Sequence, residues 1–234
     1  MEQPETPTDK TSPLRGRRVA GALFAQVAFG AIGTGVVFGV MTLLRYFGLF
    51  EGRPAATPLL VFASFVSLLA LRWSFSRPGD WQRVGWVPIS PRLALQAVLG
   101  GFLYVVVVAT VLNLLFSRGV DLPRGAPLLT TPSPSNFAVM LIVGALVAPF
   151  VEETLFRGAL FGWLLRRWNA WVAVPVTAIV FAALHGPTAP VIVFHGLLFG
   201  YVRLRTGSLW PSFLMHAVNN ALALTGLYIT LRGG

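Results

Sequence analysis

The chain contains no cysteine. Disulfides and thiolate metal sites are therefore excluded, and redox chemistry says nothing about its compartment. It is also poor in charge: Asp, Glu, Lys and Arg make up 11% of the residues, against roughly 25% in soluble domains. Acidic residues are scarcest, eight in 234. What is abundant is apolar surface, at 55% of residues. Length alone admits one or two domains, but repeated apolar stretches long enough to cross a bilayer settle the class. The expected fold is all-α, a polytopic transmembrane helix bundle. The formal net charge of +10 would suggest nucleic acid in a soluble protein. Here the arginines fall between apolar stretches, which fits the positive-inside effect. A soluble nucleic-acid binder is excluded.

Seven spans are expected, at about 19–49, 56–76, 93–116, 136–167, 170–186, 189–205 and 209–231, or eight if the first or fourth stretch splits. Residues 1–18 are polar and proline-rich and end in Arg15, Arg17 and Arg18. They read as a disordered, basic cytoplasmic tail. The rival reading, a cleaved signal peptide, is disfavoured because the following apolar stretch is about twice as long as a typical h-region. Residues 19–135 then form an N-terminal set of helices and loops, and 136–231 a C-terminal transmembrane core. Gly35 and Gly39 stand at a spacing that allows close helix packing. With the N-terminus inside, Lys10, Arg15, Arg17, Arg18, Arg72, Arg77, Arg83, Arg92, Arg166, Arg167, Arg203 and Arg205 fall on the cytoplasmic side. Arg45, Arg53, Arg118, Arg124 and Arg232 fall on the other, with the C-terminus. That asymmetry is the expected one, and it points to an integral protein of the cell membrane. Residues 77–92 read as an interfacial loop with Trp81 and Trp86 at headgroup depth. Residues 118–135, rich in proline, read as an exposed or re-entrant loop.

Six of the eight acids, Glu2, Glu5, Asp9, Glu51, Asp80 and Asp121, lie in expected tails or loops. Glu152 and Glu153 lie inside the fourth apolar stretch. A charge at the bilayer centre costs at least about 2.5–3.5 kcal/mol, so such residues need partners and mark function by default. All three histidines, His185, His195 and His216, also fall in expected spans after Glu153. The intramembrane acid–base chemistry is thus confined to residues 150–220. Glu153 and Arg157 are i,i+4 in the favourable order, which leaves Glu152 on a neighbouring face. The bland alternative is a structural ion-pair cluster. Pro149 should kink the helix just ahead of the carboxylates. His185 precedes Gly186-Pro187, a helix stop. His216 and Asn220 share one helical face. At a rise of about 1.5 Å per residue, Glu152 and His185 lie at comparable depths, with His216 shallower. His195 has no polar neighbour at helical spacing and reads as structural or interfacial. Asn219, on a different face from Asn220, reads as packing or as capping of polar groups.

These residues resemble a known family. Glu152-Glu153-Thr154-Leu155-Phe156-Arg157 is similar to the EExxxR motif of the CPBP intramembrane proteases, the ABI-type group of CAAX prenyl proteases and bacteriocin-processing enzymes. Phe181-Ala182-Ala183-Leu184-His185 resembles its FxxxH motif, and His216-Ala217-Val218-Asn219-Asn220 its HxxxN motif. Pro149, Gly158 and the run Thr206-Gly207-Ser208-Leu209-Trp210 fit the surrounding pattern. The resemblance covers about residues 136–225. The sequence lacks the HExxH of zinc site-2 proteases, a rhomboid-like Ser–His arrangement and a pair of intramembrane aspartates.

The resemblance implies hydrolysis of a peptide bond in a membrane-associated substrate, CAAX-like or bacteriocin-like and in some members lipidated. It implies a catalytic set of Glu152, Glu153, His185, His216 and Asn220. Glu152 would be the general base on water and His185 would hold that water. His216 and Asn220 would donate to the developing oxyanion, with Glu153, Arg157 and Phe181 supporting them. Two histidines and a glutamate can also form an open zinc site. The family is often classed as metalloproteases, so Glu152, His185 and His216 are the candidate zinc ligands, although Asn220 suits a metal-free glutamate mechanism better. On this reading His195→Ala retains most activity. The competing functions are a non-catalytic bacteriocin self-immunity or membrane scaffold protein, and an ion-coupled transporter, the latter without the repeated broken helices transporters show.

Overall fold

The computed structural model describes residues 16–26, 28, 46, 56–117 and 133–233. Among these the chain is all-helical. Helix α1 covers residues 16–26, α2 Ala56–Ser74, α3 Asp80–Val84, α4 Pro91–Ser117 and α5 Pro134–Arg167. Then follow α6 Ala170–Ala183, α7 Ala189–Thr206 and α8 Trp210–Gly233. The elements recur where the apolar stretches placed them. Among the described residues, three helices are long and apolar enough to cross a membrane, Pro91–Leu112, Pro134–Arg167 and Trp210–Arg232, with shorter apolar helices at Val61–Ser74 and Ala170–Ala183. The fourth stretch is one unbroken helix rather than two. The first stretch beyond residue 28, with Gly35 and Gly39, and most of the 118–135 loop lie outside the described residues.

Local chemistry sets the boundaries. Ser133 caps α5, its Oγ accepting from the Asn136 N–H at 3.2 Å, with Pro134 in the first turn. Asn169 caps α6 in the same way through Val172. Gly207, at φ 67°, ends α7 in the left-handed conformation that favours glycine. Helices α6 and α7 pack closely: a Cβ on Gly196 would come within 2.7 Å of the Ala178 Cα. Leu95, Leu99, Leu103 and Val106 leave one long face of α4 apolar and exposed, as suits a helix facing lipid rather than water.

One expectation needs correction. The tail was expected to stay disordered through residue 18, yet 16–18 are already helical. The reason is Asp80. Its carboxylate is fully buried and takes both guanidinium nitrogens of Arg18, at 3.0 and 2.7 Å. It also accepts from the Arg77 N–H at 2.9 Å and from Arg83 at 3.2 Å. Burial alone would push the Asp80 carboxyl up, but these donors outweigh it and hold it below the ordinary range. Trp81 and Trp86 both pack onto α5, stacking on Phe150 at centroid distances of 5.8 and 4.8 Å. Trp86 also donates to Thr154 Oγ1 at 3.0 Å, so its N–H is satisfied by protein.

Candidate active site

Helix α5 departs from α-helical register around Pro149. Leu141–Val147 and Glu153–Leu160 are π-helical, a widening often found at functional sites. Proline has no N–H and crowds the preceding turn. In the first π segment the Ala148 N–H donates to Val143 O, five residues back. The next rung would ask Gly144 O to accept from residue 149, which is Pro149. The Asn220 side chain supplies that missing donor, its Nδ2 lying 2.8 Å from Gly144 O. The kink expected at Pro149 is thus a change of register, and it ties α5 to α8.

One turn later the two glutamates separate. Glu153 is fully buried, while Glu152 keeps 27% of its side chain exposed. Arg157, also fully buried, pairs with Glu153 at 3.0 Å. The face of Arg157 lies against Phe181, 4.1 Å from the ring centroid, a desolvated cation–π contact. Phe181 in turn packs against the rings of His185 and His216, at 4.6 and 5.9 Å. The aromatic of the second motif therefore holds the arginine of the first and both histidines.

His216 sits between the carboxylates. Its Nδ1 is 3.1 Å from Glu153 Oε1 and its Nε2 is 3.5 Å from Glu152 Oε2. Glu153 is an acceptor, so the Nδ1–H donates to it, which turns Nε2 toward Glu152. At the end of α6, His185 Nδ1 donates to Phe181 O at 2.8 Å. In that tautomer Nε2 is the ring's acceptor. Glu152, His185, His216 and Asn220 all line one cavity of about 750 Å³. Its other walls are largely apolar and include Leu23 and Ala63 from the N-terminal helices. The arrangement joins a half-open carboxylate, two imidazoles and a carboxamide to a space of substrate size. A zinc site from Glu152, His185 and His216 fits less well. Among the described residues no three His, Asp or Glu side chains are gathered into a metal-binding group.

One contact escaped the reading of the sequence. His195, which has no polar neighbour at helical spacing, meets one on another helix: its Nε2 lies 3.3 Å from Asn219 Oδ1. Asn219 caps a polar group in turn, its Nδ2 donating to Asn220 Oδ1 at 3.2 Å. Both line the same cavity. The contact spans 24 positions between two helices, so no helical spacing could reveal it.

Residues 134–222 match the family model described as type II CAAX prenyl endopeptidase Rce1-like. The chain is 26% identical over 88 residues to a Bacillus subtilis (strain 168) protein named "Putative membrane peptidase YdiL", covering 37% of this chain and 36% of that one. It is 28% identical over 109 residues to an uncharacterized 24.3 kDa protein of Escherichia coli, covering 44% of this chain and 50% of that one. The chain therefore spans half or less of the length of each. No solved structure matches it.

Proposed function

From the match of residues 134–222 to the Rce1-like family model, we propose that this integral membrane protein is an endopeptidase. It hydrolyses a peptide bond of a membrane-associated substrate of CAAX-like or bacteriocin-like type. The observation that carries the reading is the Glu152 carboxylate, on the cavity wall and 3.5 Å from His216 Nε2. Behind that ring stands a fully buried Glu153–Arg157 pair.

Peptide hydrolysis needs an activated water, donors for the oxyanion and a proton for the leaving amine. Glu152 takes a proton from a cavity water as the water oxygen bonds to the substrate carbonyl carbon. The Nε2 of His185 accepts the water's second hydrogen and orients it. Charge builds on the carbonyl oxygen, where Asn220 offers the N–H that Gly144 does not use, beside Nε2 of His216. The C–N bond then breaks, and the amine leaves with the proton Glu152 had taken. Glu153 fixes the His216 ring through Nδ1, and Arg157 pairs with Glu153 inside the bundle. The apolar walls suit a hydrophobic or lipidated segment of substrate. The arginine asymmetry supports a cytoplasmic N-terminus in the cell membrane.

Comparison of the C-termini of the host's membrane proteome with wild type and with Glu152→Gln tests this. Proteins whose trimmed C-termini revert to full length in the variant are the expected substrates. An unchanged set of termini, with the host still protected from a bacteriocin, would favour the self-immunity reading instead. Purified protein assayed after chelation and after zinc is added back tests the metalloprotease classing. Activity that survives chelation is expected, and activity restored only by zinc would overturn the metal-free mechanism.

A further inference from the structure

The polar chain opposite Glu152 has a direction that can be worked out. Gly144 O, orphaned by Pro149, only accepts. Asn220 must therefore turn its Nδ2 toward it, at 2.8 Å. Its Oδ1 then faces Asn219 and needs the Asn219 Nδ2, found at 3.2 Å. That turns Asn219 Oδ1 toward His195 Nε2, at 3.3 Å, a bond made when Nε2 carries the proton. The other ring nitrogen lies 3.1 Å from Val191 O, which also only accepts. The chain is thus anchored at one end by a backbone carbonyl and at the other by the imidazole. Neither amide can flip without setting two oxygens against each other. The His195 ring is nearly buried and held edge-on by Tyr104, at 5.0 Å and 87°.

We infer that His195 is a positioning residue: through Asn219 it locks the Asn220 carboxamide with its N–H₂ group presented to Gly144 O and the reaction. The inference rests on the reading of Asn220 as an oxyanion donor. A flipped Asn220 would offer an oxygen where negative charge develops. A ring that merely filled space would not need a donor, and Phe at position 195 keeps the aromatic contacts with Tyr104 and Phe199 while removing the donor. This gives a specific task to a residue read from the sequence as structural or interfacial.

The test uses the full chain in lipid vesicles with an internally quenched, farnesylated CAAX peptide as probe. His195→Phe is expected to lower kcat about ten- to a hundredfold, the cost of a misplaced group, with KM unchanged. His195→Gln, whose amide can still donate to Asn219, should recover most of it. His195→Phe combined with Asn220→Ala should be no slower than Asn220→Ala alone. A second readout needs no turnover. The chain has three histidines, so ¹⁵N-imidazole spectra resolve few signals. Asn219→Leu and Asn220→Ala should each shift the His195 ring nitrogens. The inference is overturned if those signals stay put, if His195→Phe keeps full turnover, or if the two losses multiply. If Asn220→Ala keeps full turnover or the wild type leaves the probe intact, the functional reading fails, and the spectra still decide whether the chain couples His195 to Asn220.

Discussion

Asp80, in the connection between α2 and α4, and Glu153, inside α5, are both fully buried carboxylates facing arginine. Asp80 is surrounded by donors from Arg18, Arg77 and Arg83, and both ion-pairing arginines keep some exposure. Glu153 has one fully buried guanidinium and one imidazole, and that imidazole also faces Glu152 and the cavity. The first site is saturated and opens onto nothing reactive, so it clamps α1 to the end of α2. The second leaves its histidine a free nitrogen at a space where substrate can sit. Burial of charge alone does not mark chemistry; an unspent group beside a cavity does.

The largest effect that can break this comparison is at Arg157. Arg157→Met leaves Glu153 buried without a counter-charge, and unfolding in detergent should show a loss of about 3–5 kcal/mol. Adding Glu153→Leu should return most of that stability, since an apolar pair can replace a buried ion pair. Turnover should stay lost, because His216 is no longer held. Recovery of turnover in the double variant would make the pair purely structural.

A smaller effect is expected at the clamp. Asp80→Asn should cost about 1.5–3 kcal/mol, the range for hydrogen bonds to a charged group, with kcat little changed. The pH dependence sharpens the contrast. The folded Asp80 carboxyl lies below its unfolded value, about 3.9. Its contribution is therefore complete above that pH and is lost as pH falls through the lower folded value. Melting curves should show an acid limb for the wild type that Asp80→Asn flattens; parallel curves would argue against the clamp.

The smallest effect concerns the link between the regions. Trp86→Phe keeps the stacking on Phe150 but removes the bond to Thr154. It should cost about 0.5–1.5 kcal/mol, measured by thermal unfolding, and no change in KM is expected.

Much of this was legible in the sequence. Apolar stretches bounded by Pro, Gly, Ser and Asn placed the helices. The scarcity of intramembrane polar residues singled out Glu152, Glu153, His185, His216 and Asn220, all of which line or support one cavity. What stayed hidden depends on contacts between distant segments. Asp80 looked like a loop acid because Arg18 is 62 positions away. His195 and Asn219 lie on different helices. The π register was foreshadowed only by Pro149 standing five residues after Gly144, a signal without meaning until Asn220 is seen to fill the gap.

The account turns on Glu152 acting on a cavity water. Its most direct test is turnover of the farnesylated, quenched peptide in proteoliposomes by wild type and by Glu152→Gln, a near-isosteric change that keeps the helix but removes the base. The prediction is a fall of about 10²–10⁴-fold, the usual contribution of a general acid–base group, with an unchanged melting temperature. A Glu152→Gln protein that cleaves at the wild-type rate would contradict it.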